Sequence, residues 1–368
     1  MILFVNVLFI LYLFMILFFL IGWFSNNYKE SKKKNRLSVV IAVRNEQDNI
    51  GFLIEDLKLQ DYDRQLFDVI IVDDHSNDKT LEILNQQSKA WSNLKVFTQD
   101  KELSGKKQAI LKGVNQSNSE IIVTTDADCR LSNSWLTIMN SYFEDEKIKL
   151  ISGPVSFNLS SKFFSKIQTL EFLSLIGSAA GAIGIGKPIL CNGANLAYRR
   201  NVFLEFNDYA SNEIVSGDDV FLLHAIKNKF SNSIKFVKNY NATVLTNAVS
   251  GLYDFINQRK RWSAKSKYYK DIDTIFVAII VFLTNFSLVF LLVDSFFDHS
   301  LIEVFFSFFL AKLIIDLIFL IPVLFFFKRM ELIKWIFPLQ FIYPFYITLV
   351  SIFSNIYSFK WKGRVEKS

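Results

Sequence analysis

The chain has 368 residues; 51% are hydrophobic, 39 are phenylalanine, and the formal net charge is +6 with three histidines and two cysteines. That length holds one large domain or two ordinary ones, and so apolar a composition excludes an average soluble enzyme in favour of a membrane protein. The basic residues gather beside apolar segments, so membrane lipids rather than nucleic acid are the expected partners of the charge, and no protein partner is indicated.

Met1 to Phe24 carries no charge. As a helix rising about 1.5 Å per residue it would reach roughly 36 Å, enough for a hydrocarbon core about 30 Å thick, so residues 1–24 are expected to span. It lacks the basic start, short apolar core and small-residue cleavage site of a signal peptide. Lys29, Lys32, Lys33, Lys34 and Arg36 follow it. Positive flanks stay cytoplasmic, which predicts a multi-pass protein of the cytoplasmic (inner) membrane with its next domain in the cytosol.

Residues 36–246 are expected to form that domain. LSVVIAV, FDVIIVDD, EIIVTTDAD and IKLISGPV are short apolar runs separated by helix-length stretches, the pattern of strands buried on both faces. The βαβα order predicts an α/β domain with a mostly parallel sheet, whose ligands bind outside the carboxyl ends of the strands. Cys129 and Cys191 are expected as reduced thiols. Phe163 to Gly186 is apolar but contains Lys166 and Glu171, and one more crossing would put later motifs across the membrane. A buried or interfacial helix pair is therefore expected there. Residues 247–272 read as an interfacial segment and 273–368 as a C-terminal membrane region with two or three spanning or re-entrant segments. In the third, Pro338 and Pro344 either break a hairpin that returns the basic tail to the cytosol or lie within a full crossing.

The strand FDVIIVDD opens into HSNDKT, placing Asp73 and Asp74 at a strand end. Capping of the next helix explains such residues equally well; a carboxylate at this edge also suits a nucleobase N–H. EIIVTTDAD ends in Asp126 and Asp128, spaced to approach one locus and to hold magnesium or manganese together with substrate phosphates. An isolated DxD is more often a solvated loop. Gly105-Lys106 lacks the first glycine of a phosphate loop, leaving one lysine for nucleotide or phosphate. Asp218 and Asp219 precede a helix-period run, where a carboxylate either caps or acts as general base; Asp219 is the chosen base. Gln258, Arg261 and Trp262 sit in QRKRW, a sequence that interfacial anchoring alone would explain; catalysis would use Arg261 for a diphosphate and Trp262 for a sugar face. The histidines lack ligand spacing, and no GxSxG elbow occurs.

In order, IAVRNE, DDHSNDKT, SGKKQAI, DAD, CNGANLAYRR, SGDD and QRKRW resemble glycosyltransferase family 2 over about Leu37 to Trp262. The resemblance implies a GT-A fold, a nucleotide-sugar donor that is usually a UDP-sugar, a divalent metal (Mg or Mn) and inversion at the anomeric carbon. It further implies that Asn45, Glu46, Asp73 and Asp74 line the nucleoside pocket with Lys106 near it, that Asp126 and Asp128 are the DxD, with Asp128 the direct metal ligand, and that Gly193 and Asn195 lie near donor sugar and acceptor. Asp219 matches the proposed base beside Asp218, and Gln258, Arg261 and Trp262 match QxxRW. Ala42 stands where many relatives have Pro, and Asp218 where Glu is usual. QRKRW is shared by processive polysaccharide synthases and by ceramide glucosyltransferase. The expected function is transfer of one sugar to a lipid or lipid-linked acceptor at the cytosolic face, with a lipid or glycan acceptor as partner, because the small membrane portion offers little polar path for polymer export. A processive synthase and a non-catalytic scaffold or sugar-binding subunit are the alternatives.

Overall fold

A computed structural model describes residues 2–206, 218–264, 268–353, 359–361 and 364–366. The chain divides into two compact units that interleave in sequence: a helical unit of Met1–Ser25, Leu159–Lys187 and Ala248–Ser368, and an α/β unit of Asn26–Asn158 and Pro188–Asn247.

The helical unit opens with α1 (Ile2–Ser25). The α/β unit begins with β1 (Leu37–Val43), α2 (Ile50–Lys58), β2 (Phe67–Asp73), α3 (Thr80–Ala90) and β3 (Leu94–Thr98). It continues with α4 (Lys106–Gln116), β4 (Ile121–Thr124), α5 (Trp135–Ser141), β5 (Leu150–Ser152) and β6 (Val155–Phe157). After α6 (Phe163–Gly184), which belongs to the helical unit, come β7 (Leu196–Arg199), α7 (Arg200–Glu205), α8 (Asp218–Lys229), β8 (Ile234–Phe236) and β9 (Val244–Thr246). The helical unit ends with α9 (Leu252–Ala264), α10 (Ile272–Asp294), α11 (Leu301–Phe326) and α12 (Ile336–Phe353).

Seven strands form one sheet in the order β3-β2-β1-β4-β7-β5-β8. β3, β2, β1 and β4 are parallel neighbours, whereas β7 runs antiparallel to β4 and β5. Val and Ile fill β1 and β2, which are buried on both faces as parallel strands covered by helices must be. From β1 the chain moves to β2 and β3 on one side and later to β4 on the other. The carboxyl ends of β1 and β4 thus flank a switch point, where an open α/β sheet leaves a crevice. The predicted runs all appear as strands, in β1, β2, β4 and β5; β3 and the antiparallel β7 were not foreseen.

In the helical unit the expected helix pair at 163–186 is corrected. It is one helix, α6, packed on α1 through glycine: a Cβ on Gly22 would lie 1.9 Å from the Gly181 carbonyl oxygen, and one on Gly184 equally close to that of Gly22. Backbones meet this closely only where side chains are missing, the small-residue solution for packing helices without a hydrophobic drive between them. Residues Leu159–Lys187 therefore leave the expected continuous 36–246 segment and join the helical unit. Among the described residues five helices are long and apolar enough to cross a membrane: Ile2–Ser25, Phe163–Gly184, Ile272–Asp294, Leu301–Phe326 and Met330–Ile352. The last is not broken by proline, since Pro338 occupies the first turn of α12 and the helix continues through Pro344.

Gly22→Ala is expected to lower the thermal midpoint in detergent measurably, because its methyl group meets backbone rather than a movable side chain. Gly51→Ala, whose Cβ meets nothing within 4 Å, should leave the midpoint unchanged or add up to about 1 kcal/mol of stability.

Candidate active site

β1 and β2 end side by side, and their loops are sewn together by polar side chains. Asn45, in the left-handed region at φ 54°, donates its N–H to Ser76 Oγ at 2.9 Å and accepts the Asn77 N–H on its Oδ1 at 2.9 Å. The Glu46 N–H reaches Thr80 Oγ1 at 2.8 Å, and Arg44 Nη1 donates to the Asp74 carbonyl at 2.7 Å. HSNDKT thus does more than cap α3: it fixes the loop that carries Asn45 and Glu46. Asp73 is 2% exposed; its Oδ2 accepts the Ser76 N–H at 3.1 Å, while Oδ1 is buried with no hydrogen-bond partner. Asp74, equally buried, turns both carboxylate oxygens to the Gly105 N–H, at 3.1 and 3.0 Å.

That bond places the start of α4. Gly105 has φ 104°, a conformation that glycine adopts without strain, and the next residue, Lys106, forms an ion pair through Nζ with Asp126 at the end of β4. Gly193 closes the locus from the turn before β7. Its N–H donates to Asp219 Oδ2 at 2.9 Å, and a Cβ added there would lie 3.5 Å from that oxygen and 3.7 Å from Lys106 Nζ. The other Asp219 oxygen accepts the Val220 N–H at 2.9 Å in the first turn of α8, so the carboxylate is oriented by two backbone donors. Asp74, Lys106, Asp126, Gly193 and Asp219, far apart in sequence, are linked by consecutive contacts. Asp218 opens α8, but its side chain lies outside the described residues, as do Ser216 and Gly217.

Asp128 lies beside them. Thr246 on β9 donates to its Oδ2 at 3.0 Å. Burial, then the charges of Asp126 and Glu46, push the Asp128 carboxyl above the usual aspartate range. Among the described residues no group of three or more His, Cys, Asp or Glu forms a ready-made metal site. The donors nevertheless fit a cation that arrives with its substrate: magnesium or manganese needs only one or two carboxylates when phosphates complete the shell, and positive charge would relieve the crowding at Asp128. Thr246 is a site residue that sequence reading missed, since nothing local marks a threonine on so short a strand.

Asn195 lies inside the fold. It is wholly buried, its amide donates to the carbonyls of Pro154 and Ala242 at 2.8 Å each, and its oxygen accepts from Trp135 Nε1 at 3.0 Å. With donors and acceptor engaged inside the protein it ties α5, the β5–β6 turn and the 3-10 turn before β9 together. Gln258, Arg261 and Trp262 lie on α9 in the helical unit, where Gln258 Oε1 accepts from Arg259 Nη1 at 2.8 Å and the Trp262 ring lies 6.1 Å from that of Phe172. Cys129 and Cys191 are free and buried, and burial, reinforced by Asp126 and Asp128, pushes the Cys129 thiol well up.

The sheet order is that of a GT-A-type fold. Residues 38–206 match the model of glycosyl transferase family 2, and the chain carries a domain of that family. The glycosyltransferase AglE of Haloferax volcanii is 29% identical over 184 residues, covering 50% of this chain and 59% of the relative. A beta-monoglucosyldiacylglycerol synthase of a Nostoc species is 30% identical over 137 residues, 37% of this chain and 29% of the relative. A poly-beta-1,6-N-acetyl-D-glucosamine synthase of Staphylococcus aureus is 28% identical over 142 residues, 38% and 34% of the two chains. The chain thus spans little more than half the length of the first of these relatives and under a third of the second. Among solved structures, a mannosyltransferase from Pyrobaculum calidifontis in complex with GDP-Man and Mn2+ superposes with a TM-score of 0.61 over 96% of both chains at 13% identity, a likeness of fold.

Two outcomes follow from the packing. Asn195→Ala strands a buried indole N–H and two carbonyls and is expected to cost about 3 kcal/mol or more, read as a drop in denaturant midpoint. Cys129 should resist iodoacetamide in the folded protein at neutral pH and label fully once unfolded, since its thiolate is scarcely populated and covered.

Proposed function

We propose that the protein is an inverting glycosyltransferase that moves a sugar from a nucleoside-diphosphate sugar, a UDP-sugar in the leading case, to a lipid or lipid-linked acceptor at the cytosolic face of the cytoplasmic membrane. The observation that carries this reading is the chain of contacts from Asp74 through Gly105, Lys106 and Asp126, with Gly193 bringing Asp219 beside Lys106. A carboxylate suited to proton abstraction therefore stands next to a lysine and a DxD suited to a diphosphate.

In this reading Asp73 receives the nucleobase, because its Oδ1 is buried and still lacks a donor; an imino N–H would supply one. Asp74, Asn45 and Glu46 shape the same pocket. Asp126 and Asp128 hold a divalent cation, which when bound screens charge on the departing diphosphate. Lys106 adds a second positive charge there. Gly193 keeps the floor beside Asp219 open, since any side chain would occupy the space next to Oδ2. Asp219 takes the acceptor's hydroxyl proton as that oxygen bonds the anomeric carbon and the bond to the diphosphate breaks. Asp218 assists it, while Gln258, Arg261 and Trp262 keep the donor- and acceptor-binding roles of the QxxRW pattern.

Asp219→Asn is expected to lower turnover at least about 100-fold with nucleotide binding retained. Asp128→Asn should instead weaken metal-dependent binding of nucleoside diphosphate, and chelation should abolish transfer until Mn2+ or Mg2+ is restored. Mass spectrometry of products from a labelled nucleotide-sugar panel decides the acceptor: single-sugar lipids support the proposal, long polymer without added lipid favours a processive synthase, and no donor turnover across the panel leaves a non-catalytic subunit.

A further inference from the structure

Arg259 fills one of the two unspecified positions inside QxxRW, and Glu171 lies on α6, nearly ninety residues earlier. In the helical unit they form a buried pair, with side chains 4% and 7% exposed. Arg259 Nε lies 3.0 and 3.1 Å from the two Glu171 oxygens, and Nη2 adds a further bond to Oε2. Tyr346 of α12 donates its hydroxyl to Glu171 Oε1 at 2.9 Å, so α6, α9 and α12 meet at one carboxylate. The remaining guanidinium nitrogen, Nη1, donates to Gln258 Oε1 at 2.8 Å, and the guanidinium carbon sits 4.5 Å from the Phe255 ring centre and 4.1 Å from that of Trp262. Arg259 thus touches two of the three specified side chains of the motif.

A buried ion pair is a poor way to gain stability, because desolvation offsets most of the attraction and an apolar pair of equal volume does as well. Its bidentate geometry does restrict rotation. We propose that Glu171 and Arg259 are positioning residues for sugar transfer: the pair fixes α9 about its own axis, and Arg259 sets the side chains of Gln258 and Trp262. This rests on the reading that Gln258, Arg261 and Trp262 serve donor and acceptor. It also deepens that reading. A guanidinium only donates, so the Gln258 oxygen is the atom turned to Arg259, and the amide N–H, which cannot serve Arg259, is the group offered to a ligand. Gln258 therefore meets an acceptor oxygen of the substrate, a hydroxyl or a phosphate.

The test uses the full-length protein in lipid nanodiscs. Wild type must transfer labelled sugar and Asp219→Asn must not; failure there overturns the proposed function itself. Given that result, Glu171→Gln, assayed well below its thermal midpoint, is expected to reduce kcat about tenfold or more, as displaced positioning groups do, while nucleotide affinity stays near wild type; its midpoint falls because a buried guanidinium loses its counter-charge. Tyr346→Phe, which removes one hydroxyl from the same carboxylate and keeps its volume, should move kcat in the same direction by less. It decides the question if Glu171→Gln does not fold. Gln258→Glu retains an oxygen for Arg259 but removes the amide donor, and should lose kcat as well. Unchanged kcat in Glu171→Gln, or in Tyr346→Phe should Glu171→Gln fail to fold, overturns the proposal. So does a loss of activity in the folded variants that only tracks loss of nucleotide binding or of folded protein, which would make the pair purely structural.

Discussion

Negative charges brought to one sheet edge repel, and this edge holds together because each carboxylate is given its own donor. Asp73 has the Ser76 N–H, Asp74 the Gly105 N–H, Asp126 the Lys106 ammonium, Asp128 the Thr246 hydroxyl, and Asp219 the amides of Gly193 and Val220. Most of these donors are backbone groups set by loop conformation, so the loops after β1 and β2 and before α4 are ordered by the same bonds that hold the acids. At Asp128 the Thr246 bond does not offset burial and the neighbouring charges of Asp126 and Glu46, and its carboxyl is raised. Fold and site are in this sense one construction: the switch point supplies the edge, and the acids fasten its loops.

Much of this was legible in the sequence where residue type and backbone demand coincide. Val- and Ile-rich runs marked β1, β2 and β4, because a doubly buried strand has little freedom in composition, and the acids closing the runs of β2 and β4 marked the candidate edge. β3 was missed because LKVFT is only partly buried and mixes charge with apolar residues. β7 left no signal because LAYR is short and ends in a basic residue, and an antiparallel strand inside a mainly parallel sheet leaves no periodic trace of its own. Asn195 shows what a motif leaves out: the resemblance places it near donor sugar and acceptor, while its burial and bonding to Trp135, Pro154 and Ala242 depend on partners remote in sequence. Local pattern reports chemistry well and burial poorly.

The helical unit contains a second polar cluster among apolar helices. Lys312, 1% exposed at its side chain, pairs with Asp316 one turn along α11 at 2.6 Å, and Tyr12 of α1 and Gln340 of α12 donate to the same carboxylate at 2.6 and 3.1 Å. Charges among helices of this composition are costly and persist where each is matched, as here. With Glu171 serving α6, α9 and α12, and Asp316 serving α1, α11 and α12, two carboxylates act as polar rivets where apolar contact alone would leave helix rotation weakly specified.

The glycine contact between α1 and α6 limits what can stand in for the first helix. Its outer face, with Phe4, Phe14, Phe18 and Phe24 exposed, would tolerate exchange among greasy residues. The strip around Gly22 would not, because it lies against carbonyl oxygens of α6 and is shaped by their absence of room. A fusion that swaps residues 2–25 for a generic anchor would keep the hydrophobicity yet lose the mortise into which α6 is cut, and a soluble truncation would leave that joint bare.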